Sequence, residues 1–343
     1  MRLSDFDYDL PPEAIAQEPL PERDASRLLV LDRRTGAIEH RVFRDLPSLL
    51  DPKDLLVVNR SRVLPARLRG RRDGGGVAEV LLVRRRAGAR WDALLRPGRR
   101  LRTGSRIEVS EDLTVVVEPG GAADGTRQVR LEARGDDTDA ALERHGHIPL
   151  PPYIRRDDRA EDRERYQTVY ARESGSVAAP TAGLHFTSRV FSDLDARGVA
   201  RAEVILHVGP GTFRPVQVDD VTTHTVDPEP FVLPPETATA IDRARERGGR
   251  VVAAGTTTTR VLESRTDGSG RVAAGEGETS LVIVPGHRFR AVDALLTNFH
   301  LPRSSLLLLV AAIAGRERVL AAYAEAIARG YRFYSYGDAM LVI

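Results

Sequence analysis

The sequence predicts an α/β main domain with an inserted small antiparallel β-barrel domain. Three observations carry that expectation. The chain has 343 residues, beyond the roughly 250–300 at which a single hydrophobic core stops growing, so two folding units are expected. Over most of its length, strand-like apolar runs alternate with stretches of helical periodicity, the pattern of a parallel or mixed sheet. Between about 66 and 148 the pattern changes to short apolar segments at hairpin spacing.

Leu55 to Asn59 and Ala202 to Val208 read as buried strands, and Thr187 to Ala196 as a helix ended by Gly198. Pro235 to Arg247 has helical spacing, a proline and an acid at its start and Gly248-Gly249 at its end; it feeds the strand Arg250 to Ala254. Leu281 to Val284, Ala294 to Thr297, and Phe333 to Tyr336 with Met340 to Ile343 read as further strands. Ser305 to Ala314 and Glu317 to Arg329 read as helices. In the central region Val77 to Val83, Trp91 to Leu95, Arg106 to Val109, Leu113 to Val117 and Gln128 to Leu131 are separated by Gly, Pro, Asp and Ser, as in a small barrel or sandwich. The expected division is 1–65 with 149–343 for the α/β domain and 66–148 for the barrel. Arg155 to Arg165 reads as an exposed connection back to the body.

Composition narrows the chemistry. Hydrophobic residues make up 41% and charged residues 29%, as in a globular protein. The absence of cysteine removes disulfides, thiolate nucleophiles, cysteine-ligated zinc and iron–sulfur clusters. Lys53 is the sole lysine and no Gly-Lys-Ser/Thr loop occurs, so a Walker-type phosphate site is not expected. The first ten residues carry Asp5, Asp7 and Asp9 where a secretory signal needs a basic start, and the longest apolar run, Leu306 to Ala314, is far shorter than the ~20 residues that span a bilayer. A cytoplasmic protein is expected. Net charge is +2, yet Arg60 to Arg106 holds 15 arginines against Asp73, Glu79 and Asp92. A basic module on an acidic body suits a nucleic-acid binder, and equally a solvated arginine-rich surface.

Four polar clusters sit at the ends of apolar elements. Ala178 to Phe186 joins small residues with Thr181 and His185, a pattern that fits packing as well as function. Leu206 to Val216 opens from His207 into Gly209-Pro210-Gly211-Thr212, a turn whose N–H groups could hold an anion or simply form a loop. Thr256 to Arg260 follows a strand and starts a helix; four successive hydroxyls favour a ligand role over core filler, and Arg260 suits an anionic group. Thr297 to Val310, with Asn298 and His300, combines with the aromatic Tyr331 to Met340.

Taken together the motifs are recognisable. MRLSDFDYDLP with IAQEPLPERDASRLL, DLLVVNRSRVLPARL, HIPLPPYI, YQTVYA, SVAAPTAGLHF, LHVGPGTFRPV, GTTTTRVLES, VDALLTNFHLP and YRFYSYGDAM resemble, in order and nearly end to end, the S-adenosylmethionine:tRNA ribosyltransferase-isomerase family of queuosine biosynthesis. Arg60, Val226-Asp227 and Thr258-Thr259 depart from the family's usual residues. The resemblance implies an α/β domain with an inserted barrel, and no metal or separate cofactor, S-adenosylmethionine being consumed as substrate. Its implied partner is a tRNA with a GUN-type anticodon carrying 7-aminomethyl-7-deazaguanine at the wobble position, acted on by a monomer to give epoxyqueuosine with release of adenine and methionine. It also implies His185, His207, His300 and Asp338 as candidate bases, unranked. Thr181, Thr212, Thr256, Thr257, Asn298 and Tyr336 would orient ligands, and Arg214 and Arg260 would neutralise carboxylate or phosphate. Two other classes remain open on the residues alone: a non-catalytic RNA-binding protein, and a nucleotide-dependent metabolic enzyme indifferent to RNA.

Overall fold

The computed structural model describes residues 1–121, 125–135, 137–213 and 215–343, with backbone alone at 212 and 213. A nine-stranded mixed sheet forms the body. Its strands lie, edge to edge, in the order Gly275–Thr279, Glu229–Leu233, Ala200–Leu206, Leu55–Asn59, Val251–Ala254, Ala294–Asn298, Ala339–Val342, Arg27–Leu31 and Ile38–Val42. The central strands are buried at every position, as strands covered on both faces must be. Strand alternation then sorts their side chains into two cores. Leu55, Val57, Leu295 and Met340 pack with the helices Pro235–Glu246, Thr256–Ser264, Ser305–Ala314 and Arg316–Ala328. Leu56, Val58, Val252 and Leu296 pack on the other face with Phe43, Leu46 and the helix Ser188–Ala196.

Local chemistry sets the helix ends. The Thr187 hydroxyl accepts the Val190 N–H at 3.2 Å, and the Ser304 hydroxyl accepts that of Leu307 at 3.3 Å, satisfying donors that the first turn leaves unpaired.

The second unit is a closed six-stranded barrel in the order Arg127–Ala133, Arg90–Arg96, Val77–Arg85, Arg67–Arg72, Arg106–Glu108 and Leu113–Gly121. All its pairings are antiparallel. Its core runs from Ala66 and Leu68 through Val80, Trp91, Val115 and Val129 to Leu142, the last on the helix Thr138–His145. The architecture is the α/β body with an antiparallel barrel that the sequence predicts.

Several elements differ from the sequence-based expectation. The barrel has a sixth strand, Arg67–Arg72, whose RLRGRR sequence shows almost no apolar alternation because only Leu68 in it is fully buried. Arg27–Leu31 and Ile38–Val42 extend the sheet at one edge. Leu281 to Val284 is not a strand; the edge pairing is made by the polar Gly275–Thr279 through main-chain bonds indifferent to side-chain hydrophobicity. Phe333 to Tyr336 is likewise irregular, and only Ala339–Val342 joins the sheet there. The Arg155 to Arg165 connection is pinned rather than free: Asp162 is buried and receives both terminal nitrogens of Arg156, at 2.6 and 2.9 Å. Among the described residues no helix is long and apolar enough to cross a membrane.

Candidate active site

Four adjacent strands, Ala200–Leu206, Leu55–Asn59, Val251–Ala254 and Ala294–Asn298, run parallel and end at one edge of the sheet. Carboxyl ends of parallel strands are where such sheets build ligand crevices. Two concavities lie there. A polar recess of about 40 Å³ is lined by Thr181, Thr256, Thr257, Asn298, His300, Tyr153, Tyr334 and Ser335. A cleft of about 700 Å³ separates this edge from the barrel. Val208 and Leu306 border both, so the two adjoin.

The recess starts from Gly255. Its φ of 97° turns the chain from strand into helix, a conformation that disfavours a side chain. Thr258 and Thr259 return their hydroxyls to the carbonyls of Ala254 and Gly255, at 2.8 and 3.1 Å, and are wholly buried. That leaves Thr256 and Thr257 to face the recess. Asn59 fastens the neighbouring strand ends, accepting the Leu206 N–H at 3.1 Å and donating to the Leu206 carbonyl at 3.0 Å and to the Thr257 hydroxyl at 3.3 Å.

Opposite the threonines lies a buried chain of hydrogen bonds. The Thr181 hydroxyl donates to Asn298 Oδ1 at 2.9 Å, and Asn298 Nδ2 donates to His185 Nε2 at 3.0 Å and to the Tyr334 carbonyl at 3.3 Å. With Nε2 accepting, the imidazole proton sits on Nδ1, which meets the Ser26 hydroxyl at 2.8 Å. The ring also stacks on Phe43 at 5.1 Å between centroids. Burial, with the nearby charges of Arg23 and Arg332, drives the His185 pKa down to about 3, so the ring is neutral. Burial alone brings His300 to about 3; its Nε2 meets the Thr297 hydroxyl at 2.8 Å. Tyr334 holds a φ of 73°, which is rare for a residue with a side chain and is a form of backbone strain that collects at functional sites.

The cleft has a barrel wall with Arg84, Arg85, Arg86 and Trp91 and a body wall with His207, Gly209 and Ile283. His207 packs so tightly on Gly175 that a Cβ there would lie 2.6 Å from Nδ1, and that nitrogen is buried with no hydrogen-bond partner. Burial lowers the His207 pKa from its ordinary 6.5, with Glu173 pulling the other way. The three arginines form ion pairs: Arg84 with Glu278 across the cleft at 2.6 Å, Arg85 with Asp139 at 2.9 Å and Arg86 with Asp92 at 2.7 Å. Part of the basic excess in this stretch is therefore balanced locally.

The fold thus gathers Thr181, Thr256, Thr257, Asn298 and His300 around the recess, places His185 behind Asn298 and sets His207 in the adjoining cleft. Three other candidates have their polar atoms engaged elsewhere. Asp338 accepts the backbone N–H groups of Arg27 and Arg332, at 2.9 and 2.8 Å, and the Arg27 side chain at 3.3 Å, which ties the start of one strand to its neighbour. Tyr336 donates its hydroxyl to Asp162 at 2.8 Å. Arg260 borders the cleft, but its guanidinium pairs with buried Glu229 and donates to the carbonyls of Leu281 and Thr279 at 2.9 and 3.3 Å. The Thr212 side chain and Arg214 lie outside the described residues. Ser26, Phe43, Asn59 and Trp91 are additional participants; only Asn59, a polar residue ending an apolar run, carries a local signal.

Arg260→Ala is accordingly expected to destabilise the fold by about 1–3 kcal/mol, because it removes the donors that the buried Glu229 carboxylate and the carbonyls of Leu281 and Thr279 receive. Denaturant unfolding measures this; an unchanged midpoint with weakened ligand binding would restore Arg260 to the ligand site. Among the described residues no group of three or more His, Asp or Glu side chains is placed to hold a metal ion.

Known proteins resemble this chain along its whole length. A family model described as "Queuosine biosynthesis protein" matches residues 3–342. A protein of Symbiobacterium thermophilum named S-adenosylmethionine:tRNA ribosyltransferase-isomerase is 54% identical over 344 residues, with 100% of each chain covered. One of the same name from an Anaeromyxobacter species is 56% identical over 345 residues, covering 100% of this chain and 99% of its own. The crystal structure of an S-adenosylmethionine tRNA ribosyltransferase from Thermotoga maritima is 42% identical, covers 99% of this chain and 100% of its own, and superposes with a TM-score of 0.56.

Proposed function

The chain belongs to the queuosine biosynthesis protein family, and from that premise we propose that it is an S-adenosylmethionine:tRNA ribosyltransferase-isomerase acting on 7-aminomethyl-7-deazaguanine at the wobble position of a GUN-type tRNA. The product is epoxyqueuosine in tRNA, with adenine and methionine released. The observation that carries this reading is the adjacency of the two concavities: a cleft of about 700 Å³ suits a ligand the size of S-adenosylmethionine, and beside it lies a recess whose lining includes hydroxyl, amide and imidazole groups.

The sulfonium acidifies the 5′ carbon of its own ribose. A neutral imidazole at the cleft can remove that proton, and His207, with a pKa held below 6.5, is neutral near pH 7. Proton removal starts adenine loss; the aminomethyl nitrogen then attacks the sugar, and methionine leaves as the epoxide closes. The first turn of the helix Thr256–Ser264 offers unpaired N–H groups and a positive dipole end to negative charge that develops in the recess. His185 has both ring nitrogens engaged, so its part is to position Asn298.

The direct test is mass spectrometry of precursor-containing tRNA incubated with the protein and S-adenosylmethionine. A mass gain matching the transferred ribosyl unit, with stoichiometric adenine and methionine, is expected, and EDTA should leave the yield unchanged. RNA binding without adenine release would mark a binding protein instead. Loss of turnover in EDTA, restored by one metal, would overturn the metal-free mechanism.

A further inference from the structure

A second small recess, about 20 Å³, lies behind His185 and is lined by Leu20, Arg23, Ser26, Arg165, His185 and Ser335. Its charge is unusual for this chain, where arginines commonly face a carboxylate. Arg23 donates to the carbonyls of Leu184 and Glu164 at 3.1 and 2.9 Å. Arg165 donates to those of Pro21, at 2.9 Å, and Leu20, at 2.5 Å, and its Nε is buried without a partner. Arg332, on the segment leading to Ser335, donates to the Glu18 carbonyl and keeps Nη1 buried and unpartnered. Among the described residues none of the three forms an ion pair with a carboxylate; Glu164 and Asp338 offset Arg23 and Arg332 only at longer range. Burial lowers the Arg23 pKa from its ordinary value, and the nearby charge of Arg165 lowers it further.

Two guanidinium groups fixed at a recess by carbonyl oxygens, with a third behind, make a preorganised anion site with spare donors. The enclosed volume accepts one oxygen-sized group, which suits a non-bridging phosphate oxygen whose phosphorus stays at the mouth. Ser335 lines both this recess and the threonine recess, and His185, which lines this one, is bonded to Asn298 in the other. The two recesses are therefore neighbours, as a reacting nucleotide and its own backbone phosphate are. Resting on the reading of the chain as a tRNA-modifying enzyme, we propose that the Arg23–Arg165 recess binds a backbone phosphate of the RNA next to the modified nucleotide.

The test uses the full chain and a short anticodon stem-loop RNA carrying the precursor base. A neutral methylphosphonate replaces, in turn, each phosphate flanking the wobble nucleotide, and binding is measured for wild type, Arg165→Gln and Arg165→Lys. One linkage should weaken wild-type binding about tenfold and have little further effect in Arg165→Gln. That variant should also lose about 0.7 from the salt slope, and Arg165→Lys should recover part of it. If Arg165→Gln melts, Arg23→Gln takes its place. Losses that multiply at every linkage overturn the proposal while leaving the enzyme reading intact. Competition by inorganic phosphate that depends on Arg165, with no linkage coupled to it, would identify a free-anion site and overturn the RNA assignment. If unmodified RNA fails to bind wild type, the phosphate site and the tRNA reading fall together.

Discussion

Replacing His207 with glutamine is expected to lower turnover by roughly 10²- to 10⁴-fold, the range typical of a lost general base, while changing S-adenosylmethionine affinity only a few-fold. Three observations single out this residue among the histidines near the site. It lines the cleft large enough for the donor. Its Nδ1 is buried against Gly175, so Nε2 is the nitrogen that can meet a substrate, whereas His185 has both nitrogens engaged and His300 meets Thr297. Its pKa is lowered less drastically than theirs, which fall to about 3 and leave weak bases. The pH profile supplies the sign. A base must be unprotonated, and burial lowers the His207 pKa below 6.5, so kcat/KM should hold at neutral pH and fall only as pH drops through a value under 6.5. The glutamine variant should lose that limb. A variant that keeps near-wild-type turnover, or keeps the acidic limb, would transfer the role to another group.

Asn298→Ala should destabilise the protein by about 3 kcal/mol or more and abolish detectable turnover. The amide meets three buried partners: the Thr181 hydroxyl, His185 Nε2 and the Tyr334 carbonyl. Alanine leaves the Thr181 hydroxyl and His185 Nε2 without that partner, at about 1–3 kcal/mol per unsatisfied group, part of which an entering water can recover, while the Tyr334 carbonyl keeps the Gly337 N–H at 2.9 Å. His185 would also lose the contact that fixes its ring, and Tyr334 one of the bonds that hold its positive φ. Asn298→Asp separates structure from chemistry: its oxygens can still accept from Thr181 but cannot donate to a neutral Nε2. Chemical denaturation and single-turnover assays on both variants are the measurements. If Asn298→Ala unfolds at the wild-type midpoint, the buried network is not what holds this wall.

The residues that fold locally were legible without coordinates. Thr187 and Ser304 announce helix starts because a hydroxyl at that position satisfies first-turn donors whatever the tertiary setting. Leu55 to Asn59 and Ala294 to Thr297 read as strands because burial on both faces demands a continuous apolar run. The strands Arg67–Arg72 and Gly275–Thr279, each with a single fully buried residue, have no such requirement and left no pattern to read.

At the site, the sequence by itself determined the residue types and their places at strand ends: Thr181, His185, His207, the threonine turn, Asn298 and His300 are polar residues that interrupt apolar or small-residue runs. Tertiary structure decided which of them have free atoms. Thr258 and Thr259 turn back on their own helix, Arg260 is spent on Glu229 thirty-one positions away, and Asp338 on Arg27, 311 positions away. The partners of Arg260 and Asp338 are distant in sequence and set by strand order, and hydrogen-bond satisfaction in a buried site is a property of neighbours in space. No local pattern encodes it.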